Sequence, residues 1–198
     1  MKVLCIIPAR YASTRLPGKP LRDIAGKPMI VRVYERAVRA KRVQDVVVAT
    51  DDERIRAAVE AHGGRAVMTR ADHATGTDRL AEVAEKMTGY DLIINVQGDE
   101  PLIDPAVIDA LIEPFLTDET LPMATAKTLL TDEEEIANPN NVKVITDITG
   151  NALYFSRARI PYARNPGAKV YKHIGIYAYR RDFLLAYARM AQTPLERS

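Results

Sequence analysis

The strongest constraint on the fold is a repeated alternation. Short apolar runs with no polar residue every second position are followed by stretches of helical spacing. Residues 3–7 (VLCII), 45–50 (DVVVAT) and 91–96 (DLIINV) read as strands covered on both faces, because a half-exposed strand would alternate. Between them, Ile30, Val33, Tyr34 and Ala37 recur at helical spacing after Pro28, a good first-turn residue. Thr50 and Glu53 are spaced as a capping box for a helix that places Ile55, Ala58, Val59 and His62 on one face. That helix can stop at Gly63 and Gly64. Residues 65–69 read as a third strand in chain order, and Leu80, Val83, Ala84 and Met87 as a further helical stripe. Asp104 and Pro105 open another helix, which Pro114 bends or ends. Strand, helix, strand, helix at this spacing predicts βαβ units: an α/β fold with a mostly parallel central sheet and helices on both faces.

After residue 120 the rhythm changes. Residues 122–129, 142–147, 152–155 and 173–179 read as strands with one short helix, 132–137, among them. This half is expected to form a smaller mixed-sheet extension. The run Glu133 to Glu135 reads as a solvated helix face.

Composition narrows the function classes. A chain of 198 residues suits one domain. A net charge of +2 is too small to argue for a nucleic-acid partner, so any anion binding must be local. The single cysteine, Cys5, lies inside an apolar run and reads as a buried hydrophobe; one cysteine allows no internal disulfide. No stretch approaches the roughly 18 apolar residues of a membrane span. The apolar start is too short for a signal peptide, so the expected location is cytoplasmic.

Open α/β sheets bind ligands beyond the carboxyl ends of their strands. The loop after the first strand, residues 8–19 (PARYASTRLPGK), carries Arg10, Arg15 and Lys19 with Ser13 and Thr14 and no acid. Three cations and two hydroxyls suit a triphosphate, although residue types alone equally allow a solvated basic loop. It is neither a GxxxxGK[ST] phosphate loop nor a GxGxxG fingerprint. After residues 91–96 come Gln97, Gly98, Asp99, Glu100 and Pro101. Gly98 permits a close approach, and Asp99 reads either as one carboxylate for Mg²⁺ or as a turn opener. Residues 69–79 (TRADHATGTDR) form a polar stretch leading into a helix, able to frame a nucleobase; His73 reads as a loop residue. Arg157, and then His173 and Tyr177 on one strand face with Gly175 between them, make a fourth candidate cluster, with Arg157 placed to pair a carboxylate.

Taken together these segments resemble a known family. IPARYASTRLPGKPL, ATD at residues 49–51, TRADHATGTDRL, NVQGDEP, NPNNVKV, ALYFSRARIPY, HIGIY and PLE occur in the order found in the 3-deoxy-manno-octulosonate (Kdo) cytidylyltransferases, the CMP-Kdo synthetases. Relatives that make CMP-sialic acid differ in the first loop. The resemblance implies a Rossmann-like nucleotidyltransferase fold, with residues 1–120 the nucleotide-binding half and 121–198 the sugar-binding and dimerisation half. It implies transfer of CMP from CTP to Kdo, for lipopolysaccharide biosynthesis, by a Mg²⁺-dependent homodimer. By the same analogy Arg10, Ser13, Arg15, Lys19, Arg70, Thr75, Gly76 and Arg79 meet CTP. Asp99 ligates the metal, and Gln97, Arg157, His173 and Tyr177 meet the sugar acid. Arg10, Arg15, Lys19 and Asp99 form the catalytic set. Family members continue past the position of Ser198 with a further helix, strands and a second metal-binding aspartate. A chain ending there is expected to leave apolar surface uncovered. The whole reading requires Arg15 and Lys19 on the same edge as Asp99.

Overall fold

A computed structural model of the chain describes residues 1–12, 16–165 and 167–194. They form two compact units: residues 1–124 with 176–198, and residues 125–175. The sequence-based divide at residue 120 thus falls close to the first crossing, but the chain returns to the first unit at Ile176 instead of staying in the second.

In the first unit the strand order is β5 (Ala66–Met68), β4 (Asp45–Thr50), β1 (Val3–Ala9), β6 (Leu92–Asn95) and then the second half of β10 (Val170–Arg180). The first four are mutually parallel, while β10 runs antiparallel to β6. A two-stranded ribbon, β2 (Asp23–Ile24) and β3 (Lys27–Pro28), precedes α1 (Met29–Ala37). The remaining helices of this unit are α2 (Glu53–Ala61), α3 (Gly76–Lys86), α4 (Pro105–Ile112), α5 (Pro114–Thr117) and α7 (Arg181–Tyr187). Leu4, Ile6, Val47, Ala49 and Ile93 point to one face and pack with Leu80, Val83 and Ala84 of α3 and Leu184 of α7. Val3, Cys5 and Ile7 alternate to the other face and are equally buried, which is why these runs carry no polar alternation. Burial also pushes the Cys5 thiol up to about 12, so it stays protonated and inert.

Two local expectations shift. Pro28 stands one residue before α1, its extended backbone capping the helix from outside. Thr50 ends β4 fully buried instead of capping α2; the cap is Asp52, which accepts from the Arg54 N–H. α4 ends at Ile112, ahead of Pro114 as the sequence allows, and Pro114 starts a separate turn of helix, α5. Asp104 likewise caps α4 as its sequence implies.

The second unit holds most of β7 (Met123–Leu130), α6 (Glu133–Ala137), β8 (Lys143–Thr146), β9 (Ala152–Ser156) and the first half of β10. β8 pairs antiparallel with both β9 and β10, and β7 pairs with β10. Its small core joins Leu130, Ile136 and Val170. Lys143 is fully buried there, with no ion-pair partner among the described residues; its Nζ donates to the carbonyls of Asn138 (3.0 Å) and Arg157 (2.7 Å). Burial first, then the Arg157 charge, push its pKa down. Leu153, Tyr154 and Phe155 on β9 are exposed.

Candidate active site

The site of the first unit lies where β1, β4 and β6 end. β1 runs out at Ala9, leaving Arg10 exposed at its tip. The chain then loops and comes back: the Gly18 N–H donates to the Tyr11 carbonyl at 3.0 Å, pinning the two ends of the loop together. Gly18 takes φ +69°, a left-handed conformation that costs glycine little, and a short 3-10 helix (Lys19–Leu21) follows. Tyr11 packs against Gly18 and lies under the Arg54 guanidinium, which sits 3.4 Å from the ring centroid. Arg54 is itself held by Asp52, so the capping residue of α2 also steadies the loop from the neighbouring strand.

Lys19 reaches across to the end of β6. Its Nζ lies 2.5 Å from Asp99 Oδ2, and both side chains remain about half open to solvent. The required meeting of Lys19 with Asp99 is therefore met; Ser13, Thr14 and Arg15 lie outside the described residues. Gly98 precedes Asp99 in the chain. A Cβ there would come 2.6 Å from the Pro8 carbonyl oxygen, so the β1 and β6 ends close on each other only because residue 98 has no side chain.

The stretch ahead of α3 is built differently from its sequence reading. Thr75 caps α3 and exchanges hydrogen bonds with Asp78, a complete capping box. Gly76 starts the helix beside Pro8. Arg79 faces inward. Its side chain is 1% exposed and gives its donors to Thr69 and to Asp51, the latter at 3.1 Å. It braces the stretch from inside, tying α3 to the ends of β4 and β5. Asp51 Oδ1 has no hydrogen-bond partner among the described residues. Arg70 likewise turns to Asp72 at 3.0 Å, while its backbone N–H donates to Glu82. Glu82 also takes His73 and Lys86. Burial raises the Glu82 carboxyl, but Lys86, His73 and the Arg70 N–H together outweigh it and hold it at about 2. His73 is thus a structural partner of Glu82, in keeping with its reading as a loop residue.

Gln97 and Tyr177 line one cavity of about 330 Å³, together with Gly76, Thr77, Asn95, Met123, Tyr179 and Tyr187. Burial, and then Tyr187, push the Tyr177 phenol up. Tyr179 is also raised, by burial and its two neighbouring tyrosines. Both phenols keep their protons at neutral pH. Asn95, Asp51, Tyr11 and Arg54 were absent from the sequence-based candidates. Asn95 alone carried a signal, as the one amide within an apolar strand.

Arg157 and His173 belong to the second unit. Arg157 is exposed and donates one arm to the Pro139 carbonyl at 2.9 Å. His173 Nε2 lies 2.9 Å from Thr125 Oγ1, with the Phe155 ring edge-on at 4.8 Å, and burial lowers its pKa.

Among the described residues, no group of three or more His, Cys, Asp or Glu side chains could bind a metal unaided. Among the described residues no helix is long and apolar enough to cross a membrane.

Comparison with known proteins agrees with this geometry. The cytidylyltransferase family profile matches residues 4–198. The 3-deoxy-manno-octulosonate cytidylyltransferase of Fusobacterium nucleatum is 56% identical over 99% of this chain and 80% of its own length. That of Geobacter metallireducens is 54% identical, over 99% and 82%. A solved CMP:2-keto-3-deoxy-manno-octonic acid synthetase complexed with CTP superposes with a TM-score of 0.95 at 50% identity, covering all of this chain and 81% of that one. A cytidylyltransferase from Leptospira borgpetersenii, 22% identical with a TM-score of 0.63 over all of this chain and 68% of its own, shares the fold. The chain is a member of the cytidylyltransferase family, in its 3-deoxy-manno-octulosonate branch.

Proposed function

We propose that this chain transfers CMP from CTP to the anomeric hydroxyl of 3-deoxy-D-manno-octulosonate. The observation that carries the reading is the Lys19–Asp99 contact at the joined ends of β1 and β6, in a chain more than half identical to Kdo cytidylyltransferases. The sugar oxygen forms a bond to the α-phosphorus, the bond from that phosphorus to the β-phosphate oxygen breaks, and pyrophosphate leaves. The hydroxyl proton passes to solvent. Such a transition state asks for positioning and charge neutralisation more than for covalent help.

Arg10 and Lys19 supply positive charge to the triphosphate. The half-exposed Lys19–Asp99 pair is worth at most about 1 kcal/mol, so the lysine exchanges its carboxylate for a phosphate at little cost. Asp99 is the residue to hold Mg²⁺, which when bound neutralises phosphate charge and lowers the pKa of a nearby hydroxyl. Thr75 and Gly76 present the start of α3 to the nucleotide. Gln97 and Tyr177 are assigned to the sugar acid. The product serves lipopolysaccharide biosynthesis in the cytoplasm. The working form is a homodimer; the support is β9, which among the described residues pairs with β8 alone and exposes Leu153, Tyr154 and Phe155.

Pyrophosphate release from CTP is measured with Kdo, amino-Kdo and sialic acid. Release with Kdo is expected. Release with sialic acid and not Kdo overturns the substrate, and CTP binding by calorimetry with no release from any acid overturns the reaction.

A further inference from the structure

Asn95 is out of place by the rules that build its strand. β6 is the sheet's interior strand between β1 and β10, and Leu92, Ile93 and Ile94 are fully buried apolar residues. Asn95 ends this run, in register with Ile6 on one side and Tyr177 on the other. It is 4% exposed, and its Oδ1 has no hydrogen-bond partner among the described residues. A buried amide oxygen left unpaired disfavours the fold, and an apolar residue of the same size would avoid that cost. The residue nonetheless borders open space. Asn95 lines the 330 Å³ cavity whose walls carry Thr77, Gln97, Tyr177, Tyr179 and Tyr187.

We propose that Asn95 determines specificity for the acceptor: its carboxamide oxygen takes a hydrogen bond from a hydroxyl on the polyol portion of the sugar acid. This rests on the reaction proposed above and adds to it the residue that reads the acceptor's hydroxyls. An acceptor atom rejects carboxylate and phosphate, which only accept at neutral pH, and selects a donor. Protonated tyrosines around it give apolar faces for the carbon chain and hydroxyls for its remaining oxygens. A site that must pair a buried oxygen discriminates strongly against a ligand lacking the donor, because binding then leaves that oxygen dry and unmatched.

The test compares wild type with Asn95→Ala and Asn95→Leu, using CTP with Kdo and with its 4-, 5-, 7- and 8-deoxy analogues. In wild type, removing one hydroxyl is expected to lower kcat/KM at least tenfold. In both variants that penalty falls below threefold at the same hydroxyl, KM for Kdo rises tenfold or more, and KM for CTP stays within twofold. Asn95→Leu should melt no lower than wild type, which separates recognition from folding; Asn95→Ser serves if either variant fails to fold. Variants that keep the wild-type KM for Kdo and the wild-type order of analogues overturn the role of Asn95 alone. A rise confined to KM for CTP assigns the oxygen to the cytosine amine and overturns it too. No turnover of any sugar acid by wild type overturns the underlying reaction as well.

Discussion

Gly98 and Pro8 meet so closely that a Cβ on the glycine would lie 2.6 Å from the proline's carbonyl oxygen. Residue 98 does not have a positive φ, so the glycine is required by space and not by backbone conformation. The colliding atom is backbone and cannot turn aside. Gly98→Ala must therefore push apart the ends of β1 and β6, the two strands that carry Arg10 and Asp99. The expected loss is about 1–3 kcal/mol of stability, typical of overpacking. At this chain length that lowers Tm by about 2–4 °C for each kcal/mol. kcat/KM should fall more than stability does, since small displacements of reacting groups are costly. Differential scanning calorimetry and initial rates decide it; an alanine variant with wild-type Tm and rate would show that the contact relaxes freely.

Asp99→Asn separates chemistry from folding at the same place. The aspartate and Lys19 are both about half exposed, so losing their ion pair should change stability by less than about 1 kcal/mol. Removing the carboxylate proposed to act on the triphosphate should lower kcat about a hundredfold or more, the scale of losing one preorganised electrostatic contact. The readouts are a thermal melt and a Mg²⁺ titration of the rate. Near-normal turnover would exclude a metal role for Asp99.

Sequence alone reveals the parts of this molecule that hydrophobic period and local chemistry specify. The runs at 45–50 and 91–96 contain β4 and β6, and Asp104 caps α4, because burial on two faces and a cap beside proline leave plain patterns. The meeting of Lys19 with Asp99 also follows, since parallel neighbours end on one edge. Contacts made across the fold are harder to read. Asp52 and not Thr50 caps α2 because β4 draws Thr50 into the core, a choice that spacing cannot see. Arg54 over Tyr11 joins residues from different loops with no shared periodicity. The return of the chain to the first unit at Ile176 falls inside one unbroken strand, β10, where composition gives no sign of a boundary.

Glu82 makes a pH prediction. Its folded pKa, about 2, lies below its ordinary 4.5. A depressed carboxylate adds stability that is complete above pH 4.5 and is lost as pH falls toward 2. Relative to Glu82→Gln, the wild-type advantage should thus be constant from pH 7 to 5. By pH 3.5 it should shrink by about 1.4 kcal/mol, one pH unit's worth. Urea melts of both proteins across this range measure the gap. A constant gap would mean that Lys86, His73 and the Arg70 N–H fail to outweigh the cost of burying the carboxylate.

Arg79 offers the sharpest contrast between a residue's type and its place. An arginine beside a polar stretch of a nucleotide-binding half invites assignment to the nucleotide, yet this one is sealed between Asp51 and Thr69. Removing one member of a buried pair leaves the other charge without compensation, at a cost of about 3–5 kcal/mol. Arg79→Ala should therefore unfold at markedly lower urea. Arg79→Lys should recover only part of the loss, because a single ammonium cannot reproduce the two-armed fork that reaches both partners. KM for CTP should rise in proportion to the loosening of α3 and recover in part with the lysine. If Arg79 touched the nucleotide directly, the alanine variant would keep wild-type stability and lose only affinity for CTP. Melting and KM measured on the same preparations separate the two, since bracing changes both together and direct contact only the second.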